Sequence, residues 1–405
     1  MSSSLMIRPD RQDTRVLSDL LSPGGGPRLA AGPPLGAVVL DAPIALGVPV
    51  FEDTAADSGI RTIVDPMTFA LQAPPSPTAP FAAVPYASHA RVNPRELNPT
   101  AVTEDVVAFE VDHGAAVVVP PYFHVSQLGD GWLDVTMACL RTTAEFCRAN
   151  NVGMDMMPIL SGSRRTLASP AGLEVTQAFV RAARDNGAAA VALCVSPTGK
   201  PGDSYASIAT VAAILDSART GGIPIVIWRQ GAYGLLLSAL GGAAYETGIG
   251  EFESTDIAGA QRTVRTHKPL GDDEPFRRPR RPVYFSSIGR SVPVNAAEVL
   301  LRSPDVQGEL LCNTPGCCPT VDDTLARQRI HAARTRSFQL EELRQQPDAW
   351  RKQSLASSLR AAAGTARRAN DVLERAGEKY RLPVANLVAQ IEYLEYRIET
   401  TRRSA

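Results

Sequence analysis

Lysine is almost missing from this chain. Only four occur in 405 residues, at positions 200, 268, 352 and 379, so nearly every cation is an arginine. No lysine falls on a predicted strand, which argues against Schiff-base chemistry. Cysteine is sparse as well: six in a chain of this length are too few for a disulfide scaffold. No apolar run approaches the roughly 18 residues that a membrane span requires. The Ser- and Pro-containing N-terminus lacks the charged segment and apolar core of a signal peptide, so the expectation is a cytoplasmic protein with no membrane partner. A net charge of −1 gives no overall pull toward nucleic acid. No G-x-G-x-x-G follows the first predicted strand, which removes the signature of an open dinucleotide-binding sheet.

What the chain does contain is an alternation of short apolar runs and longer amphipathic stretches. Ile223 to Trp228 is a β-branched run between Gly221-Gly222 and Arg229-Gln230, which fits a strand buried on both faces. Leucines 235, 236, 237 and 240 then fall at helical spacing, and Ala243 to Thr247 completes a βαβ unit. Similar runs lie at Ala37 to Leu40, Arg61 to Asp65, Ala115 to Val119, Val152 to Leu160 and Ala188 to Val195, and downstream at Val283 to Ser286 and Gly308 to Cys312. Eight or nine strands separated by helices predict an α/β fold, a (β/α)8 TIM-type barrel rather than an open doubly wound sheet. The boundaries read as a flexible arm over 1–34, the barrel over 35–320 and a helical C-terminal extension over 321–405. From Arg327 to Ala405 there are 16 Arg or Lys against 9 Asp or Glu. Leu387, Ile391, Leu394 and Ile398 line one face of the last helix, a stripe suited to the barrel or to the homodimer partner that such a helix implies.

In parallel α/β folds ligands collect beyond the carboxyl ends of the strands, so polar residues at predicted strand exits are the candidate site. Asp65 ends a β-branched run and is followed at once by Pro66, which makes it a catalytic candidate. Asp155, Glu251 and Glu253 are further carboxylates at or near exits, and carboxylates with divided acid and base roles suit glycosidic chemistry. Buried hydrogen bonding for Asp155 and helix capping for Glu251 and Glu253 are the structural alternatives. Tyr122 and Phe123 offer an apolar wall and His124 a hydrogen bond to a flat ligand, against the alternative of a packed loop histidine. Arg229 beside Gln230 is a device for reading a heterocycle edge or a phosphate. Arg277, Arg278, Arg280 and Arg281 form a basic knot balanced by Asp272, Asp273 and Glu274 just before it. Cys312, Cys317, Cys318 and His331 supply three thiolates and one imidazole, the ligand types of a structural zinc, although the C-x-x-C hairpins of common zinc modules are missing. Reduced thiols at a strand end are the alternative.

The order of these features resembles the tRNA-guanine transglycosylase superfamily, zinc-containing (β/α)8 barrels that exchange a base at a ribose. Ile63-Val64-Asp65 with Phe69 and Gln72, Gln230-Gly231, and Gly248-Ile249-Gly250-Glu251 carry the likeness, and Cys312, Cys317, Cys318 and His331 take the relative place of its zinc site. Pro66-Met67-Thr68 stands where that family has Ser-Gly-Gly, and no Asp-x-x-x-Pro-Thr-Arg segment precedes the cysteines. The resemblance implies a zinc enzyme acting on a nucleobase or nucleoside, with base exchange in a tRNA or DNA substrate. Asp65, Glu253 and Asp256 would then be the catalytic acids, Asp256 being the only nearby acid for the nucleophile. Arg229, Gln230 and Gly231, with Tyr122, His124, Asp155 and Glu251, would contact substrate. A non-catalytic barrel serving as a nucleic-acid-binding or protein-interaction subunit is the competing expectation.

Overall fold

The computed structural model describes residues 4–10, 13–14, 35–47, 59–249, 253–266 and 281–404. Ten short strands build a ring: β1 (Leu5–Arg8), β2 (Ala37–Asp41), β3 (Arg61–Asp65), β4 (Val117–Val118), β5 (His124–Val125), β6 (Asp155–Met156), β7 (Ile159–Ser163), β8 (Val191–Ser196), β9 (Ile225–Ile227) and β10 (Ala244–Gly248). All their pairings are parallel, in the order β3-β2-β1-β10-β9-β8-β7-β5 with β4 beside β6. The ring closes where Ala116 N donates to Thr62 O at 2.8 Å, Met157 N to Val118 O at 2.9 Å and Ala189 N to Met156 O at 2.9 Å. Pro120-Pro121 divides the fourth barrel strand into β4 and β5, and Met157-Pro158 divides the fifth into β6 and β7, because proline brings no N–H to a ladder. Eight strand positions therefore make a (β/α)8 barrel, as the sequence predicts.

Strand alternation fills it. Leu5, Ile7, Val38, Leu40, Val64, Ile225, Ile227 and Tyr245 face the helical layer, while Met6, Ala37, Val39, Ile63, Val226, Trp228 and Ala244 pack inside the barrel. With a side-chain period of two, the next inward positions on four of these strands are Arg8, Asp41, Asp65 and Glu246. The top layer of the interior is thus charged.

The outer layer holds α1 (Pro99–Asp112), capped by Asn98, α2 (Trp132–Ala149), α3 (Pro170–Asp185), capped by Ser169, α4 (Tyr205–Arg219), α5 (Gly234–Ala239) and α6 (Ile257–Thr266). Beyond the barrel come an antiparallel hairpin, β11 (Val283–Phe285) with β12 (Arg290–Val292), and the helices α7 (Val294–Arg302), α8 (Val321–Ala326), α9 (Gln328–Gln345), α10 (Asp348–Arg375) and α11 (Val384–Ser404). The hairpin, α7, α10 and α11 share a second core. Leu387, Ile391 and Leu394 are buried, and α11 packs along α10 and the barrel helix α4, so this stripe is covered within the chain.

Three expectations change. Leu5–Arg8, inside the segment read as an arm, is the first barrel strand. Val283–Phe285 belongs to the hairpin rather than the barrel, and the run ending at Cys312 holds a helical turn, Gln307–Leu310. Glu251, Arg277, Arg278 and Arg280 lie outside the described residues. No described helix is long and apolar enough to cross a membrane.

Candidate functional site

The carboxyl ends of β1, β2, β3, β9 and β10 bring five ionisable side chains together. Arg8 is fully buried; its Nε donates to Glu246 Oε1 at 2.8 Å, its Nη2 lies 3.0 Å from Asp65 Oδ2, and its Nη1 bonds Asp41. Arg229 donates through Nη2 to Asp41 Oδ1 at 2.7 Å and to Asp65 Oδ2 at 2.8 Å. Its backbone N–H reaches Glu246 Oε2 at 2.7 Å. Two cations thus face three carboxylates. Trp228 lies beneath, 5.3 Å from the Arg8 guanidinium, and Phe69 lies 5.5 Å from that of Arg229.

Asp65 is the hub. Met67 N at 2.9 Å and Tyr122 Oη at 2.8 Å donate to Oδ1; Trp228 Nε1 at 3.3 Å joins the two arginines at Oδ2. Burial would raise its pKa, but the guanidiniums of Arg229 and Arg8 outweigh that and hold the carboxyl well below the usual range. Burial and the Asp65 charge push the Tyr122 phenol well above its ordinary value, so it stays a donor.

Arg229 takes a left-handed backbone, φ 58°, unusual for a residue with a long side chain. Its carbonyl accepts from Thr255 Oγ1, and its Nε is buried with no hydrogen-bond partner among the described residues. Gln230 turns toward β8, where Nε2 donates to Leu193 O at 3.3 Å, and its Oε1 is also buried without a partner among the described residues. Gly231 fits where no other residue does: a Cβ there would lie 1.9 Å from Thr247 Oγ1. Beside this group His124 Nδ1 is 3.0 Å from Ser161 Oγ, and Gln72 brackets the His124 backbone, donating to its O at 3.0 Å and accepting from its N at 2.9 Å.

Burial lowers the His124 imidazole to about 4. Because that lies below the unfolded value of about 6.5, the neutral ring contributes stability that is complete above about pH 6.5 and lost as the pH falls toward 4. An NMR titration is expected to show no protonation of His124 between about pH 8 and pH 5.5; a midpoint near 6.5 would show a ring open to water.

The other candidates lie elsewhere. Asp155 starts β6 and pairs with Arg61, the first residue of β3, at 3.1 Å; both are half exposed at the amino-terminal rim, the end opposite the mouth. Asp256 accepts from Gly259 N at 2.9 Å, which caps α6, and from Lys200 Nζ at 3.2 Å; the cap lowers its pKa. Glu253 bonds Arg336 and Ser291, outside the charged group. Arg8, Asp41 and Glu246 escape the sequence reading, although Arg8 and Asp41 each end an apolar run just before a proline or Ala-Pro, the pattern that marks Asp65.

The metal candidates do converge. One ligand atom from each of Cys312, Cys317, Cys318 and His331 lies within 4.8 Å of all the others. Cys317 Sγ and Cys318 Sγ are 3.6 Å apart, and His331 Nδ1 is 3.6 and 3.5 Å from them. The other ring nitrogen donates to Tyr284 O at 2.6 Å, fixing the tautomer that frees Nδ1 for a metal. A cavity of about 910 Å³ between the hairpin turn, α9 and α10 is a separate feature; its arginines 360 and 368 are already paired with Glu395 and Glu309.

No known family model matches this chain, and no curated protein does. Solved structures that it is similar to include a Burkholderia cenocepacia J2315 protein assigned as a phosphonomutase, at 14% identity and a TM-score of 0.37 over 64% of this chain and 90% of that one. A 2,3-dimethylmalate lyase of the PEP mutase/isocitrate lyase superfamily gives 14%, 0.34, 60% and 75%. A phosphonopyruvate hydrolase complexed with oxalate and Mg++ gives 14%, 0.35, 64% and 79%. At these values the likenesses say nothing about activity.

The resemblance to tRNA-guanine transglycosylases is corrected: no family model matches the chain, and the neighbours named above are a mutase, a lyase and a hydrolase. The geometry gives the physical reason: Asp65, the residue meant to read a base, is fully buried with both oxygens committed to protein donors. Base exchange by a zinc glycosyltransferase, with its tRNA or DNA substrate, is therefore corrected.

Proposed function

We propose that the chain is an enzyme working at the barrel mouth on a small polar substrate that bears an anionic or carbonyl oxygen. The ion at Cys312, Cys317, Cys318 and His331 is zinc, in a structural role away from the chemistry. The buried charge cluster of Arg8, Arg229, Asp41, Asp65 and Glu246 carries the reading. Desolvating an ion costs several kcal/mol, and apolar side chains of similar size serve stability at least as well, so such a cluster is better explained by a site than by the fold.

Its orphaned atoms define what binds. A substrate oxygen completes the buried Nε of Arg229, and a substrate donor completes Oε1 of Gln230. Asp41 bridges both arginines and keeps part of its side chain exposed, as does Arg229. Asp41 is thus the base that moves a proton, and Arg229 holds the oxygen on which charge develops. Asp65 stays ionised and orients Arg229 and the Tyr122 hydroxyl.

The test is carbon–proton exchange in D2O, followed by NMR over a panel of small 2-oxo and 2-hydroxy acids. Wild type is expected to exchange at least one of them, and Asp41→Asn to slow this by about 10²–10⁴-fold, the usual worth of a general base. That variant leaves two cations against two anions, so it should fold. Exchange by no acid, or equal exchange in wild type and Asp41→Asn, would sink the proposal.

A further inference from the structure

Arg336 is buried on α9, five residues beyond the metal-ligating His331. Its guanidinium lies 4.0 Å from the ring centroid of Tyr284, whose backbone carbonyl accepts the His331 Nε2–H. The Tyr284 hydroxyl returns to the same helix, donating to Gln339 Oε1 at 2.6 Å. On its far side Arg336 pairs with the Glu253 carboxylate, and its Nη1 donates to Gly231 O at 3.5 Å. Glu253 also accepts from Ala232 N at 2.7 Å through its own carbonyl. Two residues on, Thr255 exchanges backbone hydrogen bonds with Thr198 and bonds the Arg229 carbonyl through Oγ1. One guanidinium therefore ties together the loops that leave β9 and β10, and those loops hold Arg229 in its left-handed conformation and Gln230 beside it.

We infer that Arg336 is a positioning residue through which the Cys/His metal cluster sets the conformation of the barrel mouth. Contacts run unbroken from the metal ligand to the mouth: imidazole, carbonyl, ring, guanidinium, carboxylate and loop. The metal fixes the height of α9 against the hairpin, and Tyr284 with Arg336 passes that position to residues 229–232 and 253–255. An apolar residue at 336 would fill the same space without gripping either loop. This rests on the cluster holding a metal.

The experiment is hydrogen exchange by mass spectrometry on the full chain, with and without chelator, in wild type and in Arg336→Met. Cobalt substitution reports the state of the metal site through its visible absorption. Chelating wild type is expected to speed exchange over 229–249 by about fivefold or more, the low end of usual coupling between sites. Arg336→Met should show the same loss of protection with its cobalt spectrum unchanged, and chelating it should add little at the mouth. Arg336→Lys, which keeps the charge opposite Glu253, should recover part of the protection and serves if the methionine variant does not fold. A mouth indifferent to chelation in metal-loaded wild type, or effects of chelation and substitution that simply add, overturns the coupling alone. A wild type that takes up neither zinc nor cobalt overturns the metal reading and the coupling together.

Discussion

Protein purified without chelator is expected to carry about one zinc per chain, and Cys317→Ser to lose it along with at least about 5 °C of melting temperature. Tetrahedral zinc with bonds of about 2.3 Å to sulfur and 2.0 Å to nitrogen requires sulfur–sulfur edges of about 3.8 Å and sulfur–nitrogen edges of about 3.5 Å. The sulfur–sulfur separation of 3.6 Å and the sulfur–nitrogen separations of 3.6 and 3.5 Å lie close to those edges, and Cys312 brings a third sulfur within 4.8 Å of the group. Free zinc-finger peptides draw about 10–16 kcal/mol of apparent binding energy from the metal. This chain needs far less, since the barrel and the second core are packed without it. Zinc bound here would fasten the segment after Leu310 to α9, so the variant should melt in two steps, with the C-terminal helices loosening first. Less than half an equivalent of metal in wild type, with identical melting in the variant, would remove zinc from the account.

The barrel was legible where a strand is apolar on both faces, as in Val191–Ser196 and Ile225–Ile227, because burial on two sides demands an unbroken run that no surface helix shows. Leu5–Arg8 has only four residues, and its ladder partner begins at Ala244, so nothing local announces it. The run before Cys312 was ambiguous because a short apolar stretch fits a helical turn as well as a strand. Asp155 shows how a strand boundary decides function: a strand that starts at Asp155 instead of Val152 puts the carboxylate at the amino-terminal rim, next to Arg61. The grouping of Cys312, Cys317, Cys318 and His331 could be read from their chemistry despite irregular spacing. The charge cluster could be read only in part, because Glu246 sits inside AYETG, and its inward direction follows from register rather than composition. Arg336 had no sequence signal among sixteen basic residues of the C-terminal segment; only packing singles it out.

Arg8→Met is expected to destabilise the fold by about 3–5 kcal/mol, the usual cost of leaving buried charge without its partner. Methionine fills much the same volume, so the loss is electrostatic: Glu246 loses its bond at 2.8 Å, and three carboxylates remain against Arg229 alone. The pH profile separates this from a packing defect. In wild type the Asp65 pKa is depressed in the folded state, so its contribution is fully present above the unfolded value of about 3.9 and is lost only as the pH falls through that value toward the folded one. Between pH 7 and 5 this group should leave wild-type stability flat. In the variant the crowded carboxylates repel, at least one takes up a proton more readily than in the unfolded chain, and the sign reverses: acidification toward pH 5 should restore part of the lost stability. Urea unfolding at pH 7 and pH 5 reads both terms. A gap between wild type and Arg8→Met that is the same at the two pH values would mean that the guanidinium acts as filler rather than as the counter-charge around which the mouth is built.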